Sequence, residues 1–548
     1  MWALLAAGAV PVWAQPSSAA AAPAATATNA TNASNATTSP AAPRFAIYEF
    51  EIEGNSVLTV RAVERAVSPF LGPDRDVADV DKAREALEKA YQGAGFLTVF
   101  VDVPEQNVDE GVVRLRVTEG RVEALRVTGA RYYSQGVIRE VVAELAPGQV
   151  PDFNAVQKQL ATLQRDERQV QPVLRPGRAP GTVEAELKVN DRLPLSASVE
   201  LNNRHAADTD AMRLSASLRY DNLFQRDHGL ALSASTAPTA PSQSRVFSAT
   251  YTAPLAAGRT LVAYAVRSNS RVEPLGAATV FGNGLTTGLR WLSSFDAADG
   301  FHTLGAGVDY KDLKELLVAG DDGISTPLRY APFQLTYSGN WAGGPGAQTS
   351  FNASHVFALR NVLQRQVDCP GGVGAVDQFA CKRAGGDGSF AYGRGELRHS
   401  MRLWGGTLAA RLSAQFAWQP LPSAEQFVLG GAESVRGYLE AEASGDAGWG
   451  AALEWRSANL LGGNAAMANT GFWNELQGLV FVDKGETVVR EASAGQPSRA
   501  ALAGTGFGLR VRLAQTVRGE IDIAWPLHDS RSSSTGKPRL HARLQASF

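Results

Sequence analysis

The sequence has little of what enzymes and metal proteins are built on. Only two of its 548 residues are cysteine, Cys369 and Cys381. No histidine neighbours them, so zinc ligation is not expected. The isolated close pair instead favours a disulfide made in an oxidising compartment. No run of about 18 or more apolar residues follows the N-terminal segment, which leaves no transmembrane helix there. The formal net charge is only -2, no footprint for a nucleic-acid partner. The seven histidines, His205, His228, His302, His355, His399, His528 and His541, are scattered, and none forms a helical pair with a carboxylate. A G-x-S-x-G elbow, a Walker loop and a G-x-G-x-x-G between strand and helix are all missing. Gly504-Thr-Gly-Phe-Gly508 is glycine-rich, but it lies in an alternating segment, where glycine marks a close approach rather than a phosphate cradle. The expectation is therefore a protein that is not an enzyme, with no cofactor and no metal.

Positive charge is also missing at the start, since no Lys or Arg precedes Arg44. Residues 1–14 are apolar and end Val12-Trp13-Ala14, which reads as a signal peptide shortened at its front. Residues 15–43 are almost purely Ala, Thr, Asn, Ser and Pro, the composition of a disordered linker.

What is there comes in two styles. Residues 44–120 read strand, helix, helix, strand, strand, and residues 121–190 repeat that order. In the first copy Val80, Ala83, Leu87 and Ala90 share one helix face, and Gly93 and Gly95 stop the helix. Strands are expected at Phe45–Glu53, Phe96–Val103 and Val112–Val117 in the first copy, and at Val170–Leu174 and Thr182–Val189 in the second. Each copy offers a sheet edge to which an extended chain can add. The candidate edge residues are Phe96, Leu97, Val99 and Val101, and Val170 and Val173.

After Leu193 the period becomes two. Leu214, Ala216, Leu218 and Tyr220 alternate with Arg213, Ser215, Ser217 and Arg219, and Phe507, Leu509, Val511 and Leu513 with Gly506, Gly508, Arg510 and Arg512. One face is apolar and the other often charged, in segments of about 10 residues, the length a tilted strand needs to cross a bilayer. Only a closed barrel leaves no unpaired backbone in lipid. Residues 196–548 number 353 (548 − 196 + 1). At roughly 22 residues per strand with its connection they hold about 16 antiparallel strands of a transmembrane β-barrel. Long connections fall at Asn361–Ser389, Pro420–Asp446 and Asp483–Arg499, as expected of external loops, and the first holds the cysteine pair.

Two local signals stand out: Glu425-Gln-Phe-Val-Leu-Gly-Gly-Ala-Glu-Ser-Val-Arg-Gly-Tyr438 in a long loop, and Phe481-Val-Asp-Lys-Gly485, placed at a strand end. Together, Val435-Arg436-Gly437-Tyr438 and Phe481-x-Asp483-x-Gly485 resemble the paired signature of the two-partner-secretion outer-membrane transporters. Tyr220-Asp221-Asn222-Leu223 and Gly445-Asp446 fit the same pattern. That family belongs to a superfamily of barrels preceded by polypeptide-transport-associated (POTRA) domains, and the two repeated units are similar to such domains.

The resemblance implies a function. A large unfolded exoprotein with an N-terminal secretion domain, haemolysin- or adhesin-like, is bound by two periplasmic domains and passed through the barrel to the cell surface without nucleotide. The loop Pro420–Asp446 occludes the barrel, and Arg436 pairs with Asp483 on the inner wall. Phe548, a terminal aromatic, is an assembly signal for the barrel-assembly machinery. Outer-membrane lipids are the remaining partner. The competing functions are a barrel-assembly factor of the same superfamily, a diffusion porin and an outer-membrane enzyme.

Overall fold

A computed structural model describes residues 44–548 except 109, 208, 257, 276–277, 298, 320–321, 345, 364, 369–373, 384, 463–472, 493–496 and 515. The expected signal segment and linker lie outside the described residues. The chain divides into two compact units, which part between Leu193 and Pro194.

The N-terminal unit is one module built twice. In the first copy the strand Glu49–Glu53 runs parallel to Val112–Glu119, which also pairs antiparallel with Val99–Asp102. In the second, Arg121–Thr128 runs parallel to Thr182–Asp191, which pairs antiparallel with Arg168–Pro176. Two helices per copy bury an apolar stripe against each sheet: Val60–Val67 and Val77–Gly93, then Gln135–Val141 and Phe153–Leu163. The helix Val77–Gly93 starts at a capping box, Asp76 and Asp79 each accepting the other's backbone N–H. Its buried stripe is Val80, Ala83, Leu87 and Tyr91. Tyr91 donates to Asn55 Oδ1 at 2.6 Å, and burial pushes its hydroxyl pKa up, so it stays a donor at neutral pH.

The copies match in atomic detail where their sequences barely agree. A Cβ on Gly54 would come within 2.3 Å of the Val117 carbonyl oxygen, and one on Gly129 within 2.2 Å of that of Val189. Both glycines have positive φ, +89° and +83°, as the turn after the first strand requires. Two residues beyond each valine a carboxylate accepts the backbone N–H groups of that turn: Glu119 those of Ser56 and Val57, Asp191 those of Arg131, Tyr132 and Tyr133. The expected first strand is in fact broken at Tyr48; Phe45–Ile47 turns away to pair with Gly72–Arg75.

From Leu195 onward the strands close into an antiparallel barrel of sixteen among the described residues. The ring contains seventeen segments, but Asp322–Tyr330 and Pro332–Ala342 pair in succession with one neighbour, Gly300–Ala319, and form a single interrupted strand (17 − 1 = 16). The ring closes where the first strand, Leu195–Asn202, meets the last, Arg539–Ser547. Its outer face exposes Leu218, Leu232, Phe247, Leu289, Leu412 and Phe507, an apolar girdle of the kind found on membrane-spanning barrels.

Candidate functional site: a hairpin held inside the barrel

The loop between the strands Gly406–Ala417 and Ala447–Arg456 is not irregular. Phe427–Leu429 pairs antiparallel with Ala443–Gly445, giving a short hairpin whose tip spans 430–442. Gly430 and Gly431, with φ of +106° and +98°, bend the chain out of the first strand, and the Ser434 hydroxyl holds the bend by donating to the Gly430 carbonyl at 2.9 Å. Phe427, Leu429, Val435, Tyr438 and Ala443 then pack with Leu502 of the strand Arg499–Leu513, an apolar contact with the inner wall.

Arg436, at the tip, is 6% exposed. Its Nε and Nη2 donate to both oxygens of Asp483, at 2.7 and 2.9 Å, the fork-to-fork geometry that lysine cannot make. Its own backbone N–H donates to Asp483 Oδ2 at 3.1 Å, so side chain and main chain are fixed by one carboxylate. Nη1 donates to Glu454 at 2.6 Å and lies 3.6 Å from Asp522. The guanidinium stacks over the Phe481 ring, 3.3 Å from its centroid. Further out, Arg456 meets Glu454 at 2.5 Å and Arg510 meets Asp522 at 2.5 Å. Three arginines thus face three carboxylates, so each carboxylate has a counter-charge within reach, with Arg456 at the exposed edge of the cluster. This matters because an uncompensated buried charge costs several kcal/mol.

The rest of the tip is held as specifically. Gly437 N–H donates to His541 Nε2 at 3.0 Å, which leaves the proton of the neutral ring on Nδ1. The Tyr438 hydroxyl lies between the carbonyls of Ala503 and His528, at 2.9 and 2.8 Å. Glu440 meets Arg204 at 3.0 Å, just after the first barrel strand. The wall is cut back to admit the tip: a Cβ on Gly504 would lie 2.0 Å from the Arg436 carbonyl oxygen, and one on Gly506 2.6 Å from the Phe481 ring. Within the glycine-rich run 504–508, Gly504 is therefore room for the hairpin, while Gly506 and Gly508 make room for neighbouring wall strands.

One placement is corrected. Phe481, Asp483 and Gly485 are not at a strand end; they lie inside the strand Trp473–Val488, paired on both sides. Leu479 and Phe481 point inward there while Val480 and Val482 point outward, so both faces are apolar and the alternation that marks a strand vanishes. Glu454, Asp522 and His541 were not legible as site residues. Each is one polar position among many on an inward face, and only the folded loop selects it.

The pattern of matches to known proteins agrees with this geometry. Residues 45–120 match the family profile described as POTRA domain, ShlB-type, and residues 346–511 that of haemolysin secretion/activation protein ShlB/FhaC/HecB. The latter span contains both the hairpin and its partner strand. Both matches are to the two-partner-secretion outer-membrane transporters, which this chain resembles. Among relatives, the outer membrane transporter CdiB of Escherichia coli is 24% identical over 430 residues, covering 74% of this chain and 68% of the relative. Its namesake in Dickeya dadantii is 22% identical over 183 residues, 33% of this chain and 32% of the relative. Solved structures share the fold. CdiB from Escherichia coli superposes with a TM-score of 0.58 at 17% identity, over 94% of this chain and 93% of that one. BamA from Haemophilus ducreyi lacking POTRA domains 1-3 gives 0.54 at 15% identity, over 92% of this chain and 100% of that one.

The remaining residues singled out in the sequence fall as follows. Cys381 is disulfide-bonded, in the short helix Gln378–Lys382 within a long loop; its expected partner Cys369 lies outside the described residues. Phe548 follows the last strand, and its backbone exchanges hydrogen bonds with Ala197 of the first at 2.8 and 3.1 Å, while its ring is 75% exposed. In the N-terminal unit, Val99–Asp102 and Arg168–Pro176 are both sheet edges. The expected strand Phe96–Val103 is shorter: the helix end holds Phe96, whose N–H donates to Tyr91 O, so Phe96 and Leu97 precede the edge. Val99, Val101 and Val170 face the core and Val173 is half-buried, so a partner on these edges meets backbone instead. The exposed side chains on the first edge are Phe100 and Asp102. Among the described residues no three His, Cys, Asp or Glu side chains are grouped to hold a metal ion.

Proposed function

We propose that this chain carries a large unfolded exoprotein, haemolysin- or adhesin-like and bearing an N-terminal secretion domain, from the periplasm to the surface of a Gram-negative cell. The 44–190 repeat is periplasmic and binds the cargo by strand addition at its sheet edges. The barrel is the conduit in the outer membrane, inserted there by the barrel-assembly machinery. The reading includes no catalysis, cofactor, metal or nucleic acid, and the pull comes from cargo folding outside.

The observation that carries it is the Arg436 cluster, which seats a hairpin in a closed barrel through paired charges. Such a plug has two positions separated by few contacts, which a passing chain can bias. The naming of the Escherichia coli relative as an outer membrane transporter supports the same reading. Co-expression of the chain with a candidate exoprotein bearing an N-terminal secretion domain tests the reading. Cargo should reach the surface with wild-type chain and remain periplasmic with Arg436→Ala. Cargo retained in the periplasm beside a fully assembled wild-type barrel overturns it, and a loss of other outer-membrane barrels on depletion of the chain points to assembly instead.

A further inference from the structure

The hairpin has a second attachment, at its base, made by a loop from elsewhere in the chain. Asp446, where the hairpin rejoins the wall, is 0% exposed and carries a formal charge. Arg383, next after the helix Gln378–Lys382 of the cysteine-bearing loop, meets it fork to fork: Nη1 to Oδ1 at 2.6 Å and Nη2 to Oδ2 at 2.7 Å. The same carboxylate accepts the backbone N–H groups of Leu421 at 2.8 Å and Arg490 at 2.7 Å, and Gln426 Nε2 at 3.2 Å. Arg383 also donates to the carbonyls of Leu421 at 3.1 Å and Arg490 at 2.5 Å. One ion pair therefore ties together both ends of the hairpin segment, the cysteine-bearing loop and the loop after Val488.

Nearby, Glu425 is buried and accepts from the hydroxyls of Tyr330 at 2.6 Å and Tyr392 at 2.7 Å and from Lys311. Beneath lie Phe379, Phe390 and Leu421, packed with inward apolar residues of the wall. The base thus combines charge with a dry apolar cluster. Between base and tip the backbone has positive φ at Gly430, Gly431 and Ala441, on both legs of the hairpin.

We propose that Arg383 is a positioning residue for the occluding hairpin. Through Asp446 it keeps the base fixed, so that opening is a swing of the tip 430–442 about Gly430–Gly431 and Ala441, not expulsion of the whole loop. This rests on the plug reading above. The physical reason is the number of segments involved: the tip buries Val435 and Tyr438 against one strand, whereas release of the base must part the hairpin ends from the cysteine-bearing loop and from the loop after Val488 together.

The test is planar-bilayer conductance of the purified full chain without cargo, which is independent of whether secretion occurs. Arg383→Gln and Asp446→Asn should each raise the open fraction at least about fivefold, with the heat-modifiable barrel band unchanged. Arg383→Lys, which keeps charge but not the fork, should fall between wild type and Arg383→Gln. Spin labels replacing Ser444 in the base and Ser434 in the tip, each paired with a label replacing Ser217 on the wall, read the motion. On opening by Arg436→Ala the tip distances should broaden and the base distance stay sharp, and adding Arg383→Gln should broaden both. Unchanged conductance in both Arg383→Gln and Asp446→Asn, or a base that moves with the tip while Arg383 is intact, overturns the proposal. Plug conductance as predicted with no exoprotein secretion would leave this inference standing and remove the secretion reading.

Discussion

Two stretches of the same barrel wall, Leu195–Ala256 and Ala447–Ser547, obey one alternation and use it in opposite ways. On the first, several inward side chains are serines that pair with each other across strands: Ser198 with Ser217 at 2.8 Å, Ser215 with Ser235 at 3.0 Å, Ser233 with Ser248 at 2.6 Å. Those hydroxyls satisfy one another. On the second, inward positions are glycine, or carboxylates and a histidine that meet groups of the hairpin tip. The first meets the hairpin tip at the turn after its first strand, through Arg204 and His205, whereas the second meets it from within its strands. In a barrel, then, function is written in which inward positions are left needing a partner.

The largest expected break of that contrast is at the ion pair. Arg436→Ala or Asp483→Ala leaves a buried charge without its counter-charge, at roughly 3 kcal/mol, on the order of a hundredfold in the equilibrium of the loop. Cargo in the medium should fall at least about tenfold while the assembled barrel stays constant, and the double variant should lose far less than the two losses added. Normal secretion by Arg436→Ala would reduce Arg436 to an ordinary loop residue. A smaller effect is expected from filling the space instead. Gly504→Val places a branched side chain against the Arg436 carbonyl, at about 1 to 3 kcal/mol. Secretion should drop several-fold, whereas Ser233→Val on the self-paired wall should leave it near wild type. Equal losses at both positions would abolish the distinction between the walls.

Closure of the barrel joins the two walls, and deletion of Phe548 sharpens the comparison there. It removes two backbone hydrogen bonds to Ala197, about 1 kcal/mol each, together with an exposed terminal ring. The heat-modifiable band should weaken several-fold, with the activity per assembled barrel unchanged. Smaller still is the effect of the disulfide. Thiol reagents applied to intact cells should label neither cysteine until reductant is added, and the bridge constrains only its own loop, by about 3 kcal/mol of unfolded-state entropy. Labelling of Cys381 on untreated cells would refute the bridge. Ser233→Ala is the limiting case, with stability and secretion expected within about 0.5 kcal/mol of wild type.

How much of this was legible varies from strand to strand. The strand Arg213–Leu223 announces itself, because Leu214 and Leu218 face lipid while Ser215 and Ser217 face the lumen. The strand Trp473–Val488 does not, because Phe481 is apolar on the inside, where it lies under the Arg436 guanidinium. Its extent was therefore misjudged although its motif was recognised. In the N-terminal unit the order of elements was readable from the helix stripe and the glycine stops. The match of Glu119 with Asp191 was not, since a carboxylate that caps a turn from 60 residues away leaves no local pattern.

The pairing of Arg436 with Asp483 followed only from the resemblance of their motifs to a known transporter family; by itself the sequence determined the two styles of structure and the closed antiparallel barrel. It could do so because period and hydrophobicity are local properties, set by which face of each element meets water or lipid. Only the tertiary structure decided that Glu454, Asp522 and His541 complete the tip site, that Gly504 is space for a carbonyl, and that Arg383 secures Asp446. Those contacts join residues from 18 to 104 positions apart, as for Arg436 with Glu454 and Gly437 with His541. Which inward side chain meets which loop atom depends on barrel closure and register, and no single strand carries that information.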